Sequence, residues 1–212
     1  MKNLIIIGCG AFARELYWHA TRSKGYGTDY KIKGFIDGDI KVADEEYKKL
    51  PLQVFGDINN YKIENDDVFA CAICTPAVRK KIIKSMLDKG ADFINIIHET
   101  SIIQENVKLG NGIILCPYTY VNDHATVGDY VMINTMSGLG HDAEIGEYSC
   151  IMGHVELCGF VKAGKETYFG GGSRVLPHGK VGDGAYVGSG SIVLRKVKTN
   201  DKVFGNPAVS IL

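Results

Sequence analysis

The sequence lacks an excess of charge of either sign. Lys plus Arg and Asp plus Glu number 24 each in 212 residues. A balanced surface gives no electrostatic reason to expect nucleic acid or an anionic membrane as a partner. Long hydrophobic runs are missing too, and none approaches the ~18 apolar residues of a membrane span. The apolar run after Met1-Lys2 extends only from Leu4 to Ile7 before Gly8, so no signal peptide is expected. Framework spacing of cysteine is also absent. Cys9, Cys71, Cys74, Cys116, Cys150 and Cys158 are scattered, as suits free thiols in a reducing cytoplasm. Cys71 and Cys74 form a C-x-x-C inside the apolar run Val68 to Cys74. That context reads as a buried strand rather than a redox or metal turn.

What the sequence does contain is a period of six. Counting from Ile103 in steps of six meets Leu109, Leu115, Val121, Val127, Ile133 and so on to Val193, sixteen positions without a polar residue. A second column, four residues after each, runs from Val107 to Val197 and holds only small or β-branched residues. Glycine follows the aliphatic position at 110, 128, 140, 146, 164, 170, 182 and 188. A helical period of 3.6 cannot give a strict six, and alternation of two would not single out one site in six. The pattern predicts a left-handed parallel β-helix in which each hexad is a short strand and a turn. Glycine would serve there for its backbone freedom. Three hexads would close a coil of eighteen residues, with no long loop projecting between residues 103 and 198.

The first hundred residues read differently. Leu4 to Ile7 is a buried strand leading into Gly8-Cys9-Gly10-Ala11-Phe12-Ala13 and then a helical stretch from Arg14 to Trp18. This is G-x-G-x-x-A at a strand-to-helix turn, where a helix N-terminus can hold phosphate. Lys33 to Asp37 is a second strand ending in an acid that can accept from a ribose or a base. Val68 to Cys74 is a third strand. Thr75 caps and Pro76 opens a helix that runs through Arg79 to Lys89 and stops at Gly90. Phe93 to Ile97 is a last strand before His98. The expected architecture is α/β plus all-β: a small Rossmann-like domain over residues 1–98, then a β-helix domain with a C-terminal tail over residues 99–212.

This combination resembles the bacterial family of sialic acid O-acetyltransferases and nucleotide-linked amino-sugar N-acetyltransferases, over essentially the full length. The likeness rests on Gly8-Cys9-Gly10-Ala11-Phe12-Ala13-Arg14-Glu15, Ile36-Asp37, Ile94-Asn95-Ile96-Ile97-His98, Ile133-Asn134-Thr135, Gly140-His141-Asp142 and Phe204-Gly205-Asn206-Pro207-Ala208. In order and spacing the chain looks most like the UDP-4-amino-sugar N-acetyltransferases. The resemblance implies acetyl-CoA as donor, no metal, a nucleotide sugar on the N-terminal domain at Gly8, Gly10, Phe12 and Asp37, and a homotrimer with sites between neighbouring β-helices. It implies His141 as general base, Gly159 as backbone oxyanion donor, Asn134 as a sugar contact, and Cys150, Gly159 and His154 near the donor. In some members a histidine stands at the positions of Cys150 and Phe12.

The eighteen-residue coil independently predicts which side chains stack. Asp123 falls one coil below His141 and Gly159 one coil above, while His124, Asp142, Phe160 and His178 share the next column. An imidazole suits proton transfer near neutrality, and a carboxylate on its other nitrogen fixes the tautomer. Asp142, next in sequence, and Asp123, beneath in space, are both eligible. His178 reads as solvated, and His124 fits either a solvated or a functional role. Two competing functions remain at this level. One is a zinc hydratase, which needs three convergent histidines that the spacing of His141 and His154 does not supply. The other is a non-catalytic scaffold.

Overall fold

The computed structural model describes residues 1–38 and 47–211. Its first part runs β1 (Lys2–Ile7), α1 (Ala11–Ala20), β2 (Tyr30–Asp37), β3 (Val54–Asp57), β4 (Asp67–Cys71) and α2 (Pro76–Leu87). The four strands pair in parallel in the order β3-β2-β1-β4. Both faces of such a sheet are covered, which is why Leu4 to Ile7 can be unbroken aliphatic and wholly buried. Strand β3 is an addition to the strands expected from sequence. It is four residues long, half-buried and interrupted by Gly56, so it carries no periodic signal. Pro76 opens α2 as expected, but Thr75 makes no side-chain cap bond.

The expected strand from Phe93 to Ile97 is two pieces. Phe93 bridges to Phe69 at the edge of the first sheet. Ile96–Ile97 forms β5, which pairs with Ile114–Leu115 and is the first rung of the β-helix. The chain therefore passes from one sheet into the other within three residues.

The β-helix has three parallel faces. One stacks Lys108–Leu109, Thr126–Val127, Glu144–Ile145, Lys162–Ala163, Lys180–Val181 and Lys196–Val197. The second stacks β5, Ile114–Leu115, Met132–Ile133, Cys150–Ile151, Tyr168–Phe169, Tyr186–Val187 and Lys202–Phe204. The third stacks Ile102–Ile103, Tyr120–Val121, Gly138–Leu139, Glu156–Leu157, Arg174–Val175 and Ile192–Val193. Partners stand eighteen residues apart, as in Val127 with Ile145 and Val175 with Val193. From Leu115 to Val193 the aliphatic column is buried throughout, and the small column lies inside with it. The register changes only at the last coil, where Val181 pairs with Val197 and Val187 with Val203. Val197 is thus an inward strand residue and not the corner residue that a continued hexad would make it.

The periodic glycines act through space rather than through backbone angle. None of the eight has positive φ. A methyl group added at Gly128 would lie 2.6 Å from the Glu147 nitrogen, and one at Gly140 2.5 Å from the Gly159 nitrogen. Left-handed backbone occurs two positions later, at 112, 118, 124 and every sixth residue to 190, mostly without glycine. These are the corners of the coils.

The outward residues of the three faces differ. On the first face they are Lys108, Thr126, Glu144, Lys162, Lys180 and Lys196. On the second face, Ile114, Met132 and Cys150 are wholly buried, in one cluster with Ala13, Leu16 and Ala20 of α1. The α/β part therefore docks on the second face, and each such aliphatic side chain contributes roughly 1.5–3 kcal/mol by leaving water. Arg79, 0% exposed, pins the same seam. Its guanidinium donates to the carbonyls of Cys71 and Ile73 beside β4 and to that of Tyr130 on the β-helix.

Candidate active site

His141 lies on the corner between the third and first faces, after Gly138–Leu139. Asp142 follows it at φ +57, a left-handed corner that aspartate tolerates better than most residues. That turn swings the carboxylate back, so Asp142 Oδ2 stands 2.8 Å from His141 Nδ1. With Asp142 accepting there, Nδ1 carries the proton and Nε2 keeps its lone pair. The imidazole is more than half exposed, at 59%. Both stacking expectations hold. The Asp142 N–H donates to Asp123 O at 3.0 Å and the Phe160 N–H to His141 O at 3.0 Å, so Asp123 lies below and Gly159 above.

Asp123 is engaged elsewhere. It accepts from Asn106 Nδ2 at 2.9 Å and faces His124 Nε2 at 3.5 Å. The Asn106 bond is the leading cause that holds its carboxyl below the usual range. Of the two eligible carboxylates, Asp142 is therefore the one within hydrogen-bond distance of the His141 ring. Gly159 is fitted to the imidazole. A Cβ there would lie 2.6 Å from His141 Nε2, so no other residue leaves the ring its place. Its N–H has no acceptor among the described residues. The His141 ring meets Phe160 edge-to-face at 5.0 Å, and Phe160 stacks on His178 at 4.8 Å and 5°. His178, read as merely solvated, thus supports the ring that flanks His141.

Asn134 and His154 lie on a different corner, between the second and third faces, where the His154 N–H donates to Thr135 O. Asn134 Oδ1 accepts from the Thr135 N–H at 2.7 Å. Within one chain the third face separates this corner from His141. Cys150 requires a correction. It is wholly buried under α1, and burial pushes its thiol up to about 12. A side chain sealed in the domain seam cannot touch a bound donor. The position is outward on the second face, and the docked domain covers it. Cys74 is likewise pushed up to about 11 by burial, and Cys71 is raised for the same reason. Among the described residues no group of three or more His, Cys, Asp or Glu stands close enough to hold a metal, and no helix is long and apolar enough to cross a membrane.

The residues of the glycine turn gather at the carboxyl ends of β1, β2 and β4, where the strand order reverses and ligands of open α/β sheets bind. Gly8 has φ +110, and its N–H donates to Ile36 O at 2.8 Å. Gly10 precedes α1, whose first turn carries no acidic residue. Asp37 ends β2 beside Cys9, whose thiol is pushed up to about 12 by burial first and by Asp37 second. Phe12 packs half-buried against the seam cluster.

Residues 3–86 match the PglD N-terminal domain. A curated relative, GDP-perosamine N-acetyltransferase of Escherichia coli O157:H7, is 29% identical over 105 residues, which is 50% of this chain and 48% of that protein. The match thus spans about half the length of each. The acetyltransferase domain of PglB from Neisseria gonorrhoeae superposes with a TM-score of 0.88 at 20% identity, covering 100% of both chains. PerB from Caulobacter crescentus, solved with CoA and GDP-perosamine, superposes at 0.82 with 24% identity over 99% of this chain and 97% of its own. At these identities the structural likeness establishes a shared fold. The matched segment, the curated relative and the shared fold make the chain similar to hexapeptide-repeat amino-sugar acetyltransferases.

Proposed function

We propose that the protein transfers an acetyl group from acetyl-CoA to the amino group of a nucleotide-linked amino sugar. The observation that carries the reading is the His141–Asp142 pair with Gly159 over Nε2, on the β-helix of a chain whose residues 3–86 match the PglD N-terminal domain. Asp142 holds the proton on Nδ1, so Nε2 faces the acceptor as a base. As the amine nitrogen attacks the thioester carbonyl, Nε2 takes its proton. The Gly159 N–H is free to meet the oxygen on which negative charge develops. The C–N bond forms, the C–S bond breaks, and the proton on Nε2 is available to the departing thiolate. Gly8, Gly10, Phe12 and Asp37 would hold the nucleotide sugar in the crevice of the α/β domain. His154 and Asn134 would serve donor and sugar from the neighbouring corner.

That division of residues between two corners supports a homotrimer, in which the His141 corner of one copy faces the His154 corner of the next. Exposed Ile102 on the third face, with Met136 and Phe160 at its two edges, is what a covered surface would require. The sequence likeness favours a UDP-linked sugar, whereas the curated relative is named for GDP-perosamine. The test is CoA release against UDP-, GDP- and CMP-linked amino sugars, with free sialic acid as the O-acetylation arm. Turnover with a nucleotide amino sugar, falling at least ~100-fold in His141→Ala, is the expected result. No turnover with any acceptor would defeat the proposal, and near-normal turnover in His141→Ala would remove His141 as base.

A further inference from the structure

The seam between the two parts of the chain holds a cleft of about 370 Å³ that the proposed reaction does not use. Trp18, His19 and Arg22 line it from the end of α1, and His98, Pro117 and Tyr118 from the first coils of the β-helix. We propose that this cleft is a second ligand site, for a planar aromatic ring bearing a carboxylate or a phosphate. It is distinct from the glycine turn, which lies at the opposite end of α1. Ten residues at 1.5 Å each put that turn about 15 Å away. Its volume falls within the usual range of small-molecule sites, about 300–1,000 Å³.

The walls are built. The Lys24 N–H donates to Ile97 O at 3.0 Å and the Glu99 N–H to Arg22 O at 2.9 Å, which ties the end of the α1 segment to the first coil. His98 is only 5% exposed. Its Nδ1 accepts from the Thr100 N–H at 3.2 Å, so the neutral ring carries its proton on Nε2. That Nε2 has no hydrogen-bond partner among the described residues. The neighbouring His19 ring stands edge-on at 6.0 Å, and its Nε2 is buried without a partner. Arg22 is exposed and has no ion-pair partner among the described residues.

Those groups specify the ligand. A free guanidinium fork and a free imidazole N–H are donors without acceptors, and an anionic group of two or more oxygens supplies what they lack. Trp18 is 62% exposed and Tyr118 59%, so two large aromatic side chains face water at the cleft where a planar ring can cover them. Tyr118 is held there by a corner conformation with φ +58.

Trp18 is the only tryptophan of the chain, so its emission reports on this cleft alone. Benzoate and phenyl phosphate are titrated against the intact protein by tryptophan emission and, in parallel, by calorimetry. Inorganic phosphate and phenol serve as controls. A saturable response to either aromatic anion is expected, with at least tenfold weaker binding in Arg22→Gln, an exposed change that leaves the melting temperature in place. Preference for phenyl phosphate or for benzoate tells which anion the fork is matched to. Absence of saturable binding by both aromatic anions would overturn the site. Equal binding by Arg22→Gln, or by inorganic phosphate alone, would overturn its stated chemistry.

Discussion

Asp142 and Phe160 occupy successive left-handed corners of one column, and the contrast between them is informative. Aspartate enters that backbone region readily, whereas an aromatic residue there costs about 1–2 kcal/mol. The Phe160 ring lies between His141 and His178 and limits the tilt of the imidazole. Phe160 is therefore expected to act as a positioning residue. Phe160→Leu should lower kcat on the order of tenfold with KM nearly unchanged, and Phe160→Tyr should restore it, because small misplacements of a base are costly. Equal loss in both variants would show that the ring stack has no such role. The carboxylates separate in the same way. Asp142→Asn should reduce turnover by roughly 10–100-fold through loss of the correct tautomer, while Asp123→Asn should leave it nearly intact. A larger loss in Asp123→Asn would reverse the assignment.

At the scale of the coil, the glycines and the corners carry different constraints. Gly128 has an ordinary φ but no room, since a Cβ would meet the backbone of the next coil. Gly190 has room but φ +68. Gly128→Ala should cost about 1–3 kcal/mol by overpacking, and Gly190→Ala about 1–2 kcal/mol by backbone strain. Thermal melts check both, and an unaffected Gly128→Ala would mean that neighbouring coils separate more easily than their contacts imply. The coil itself was legible because its inward residues repeat every six and admit no exception from Ile103 to Val193. The stacking of Asp123, His141 and Gly159 followed from eighteen-residue arithmetic alone. The docked face was legible in principle as well. Ile114, Met132 and Cys150 recur every eighteen residues at outward positions where the first face has Thr126 and Glu144. That signal appears only once the three faces are read separately, and without it Cys150 passes for a site residue. Strand β3 had no such signal, because four half-buried residues around a glycine make no pattern.

Over the whole molecule, the two parts are joined by groups that must keep their charge state. Arg79 remains a cation held by three backbone carbonyls, and Arg79→Lys, which cannot reach all three, should lose roughly 2–4 kcal/mol of stability in denaturant titration. The opposite requirement holds at His19 and His98, which must remain neutral. Burial lowers His19 to about 4, with His98 adding to the shift. Burial also lowers His98, against Glu99 and together with Arg22. In the unfolded chain both titrate near 6.5. Between about 4 and 6.5 the unfolded chain binds protons that the folded chain refuses, so stability rises with pH across that window and declines as pH falls through it. Asp67 acts lower on the scale. Burial raises its carboxyl, but the Glu64 N–H, Lys33 and Tyr61 outweigh burial and hold it below 3.8, so its contribution is lost only in stronger acid. The melting temperature should therefore fall from pH 7 to pH 5 before the carboxylates titrate. His19→Phe, which fills the space without a titrating group, should flatten that fall. A slope equal to the parent's would place the sensitive group elsewhere than the seam.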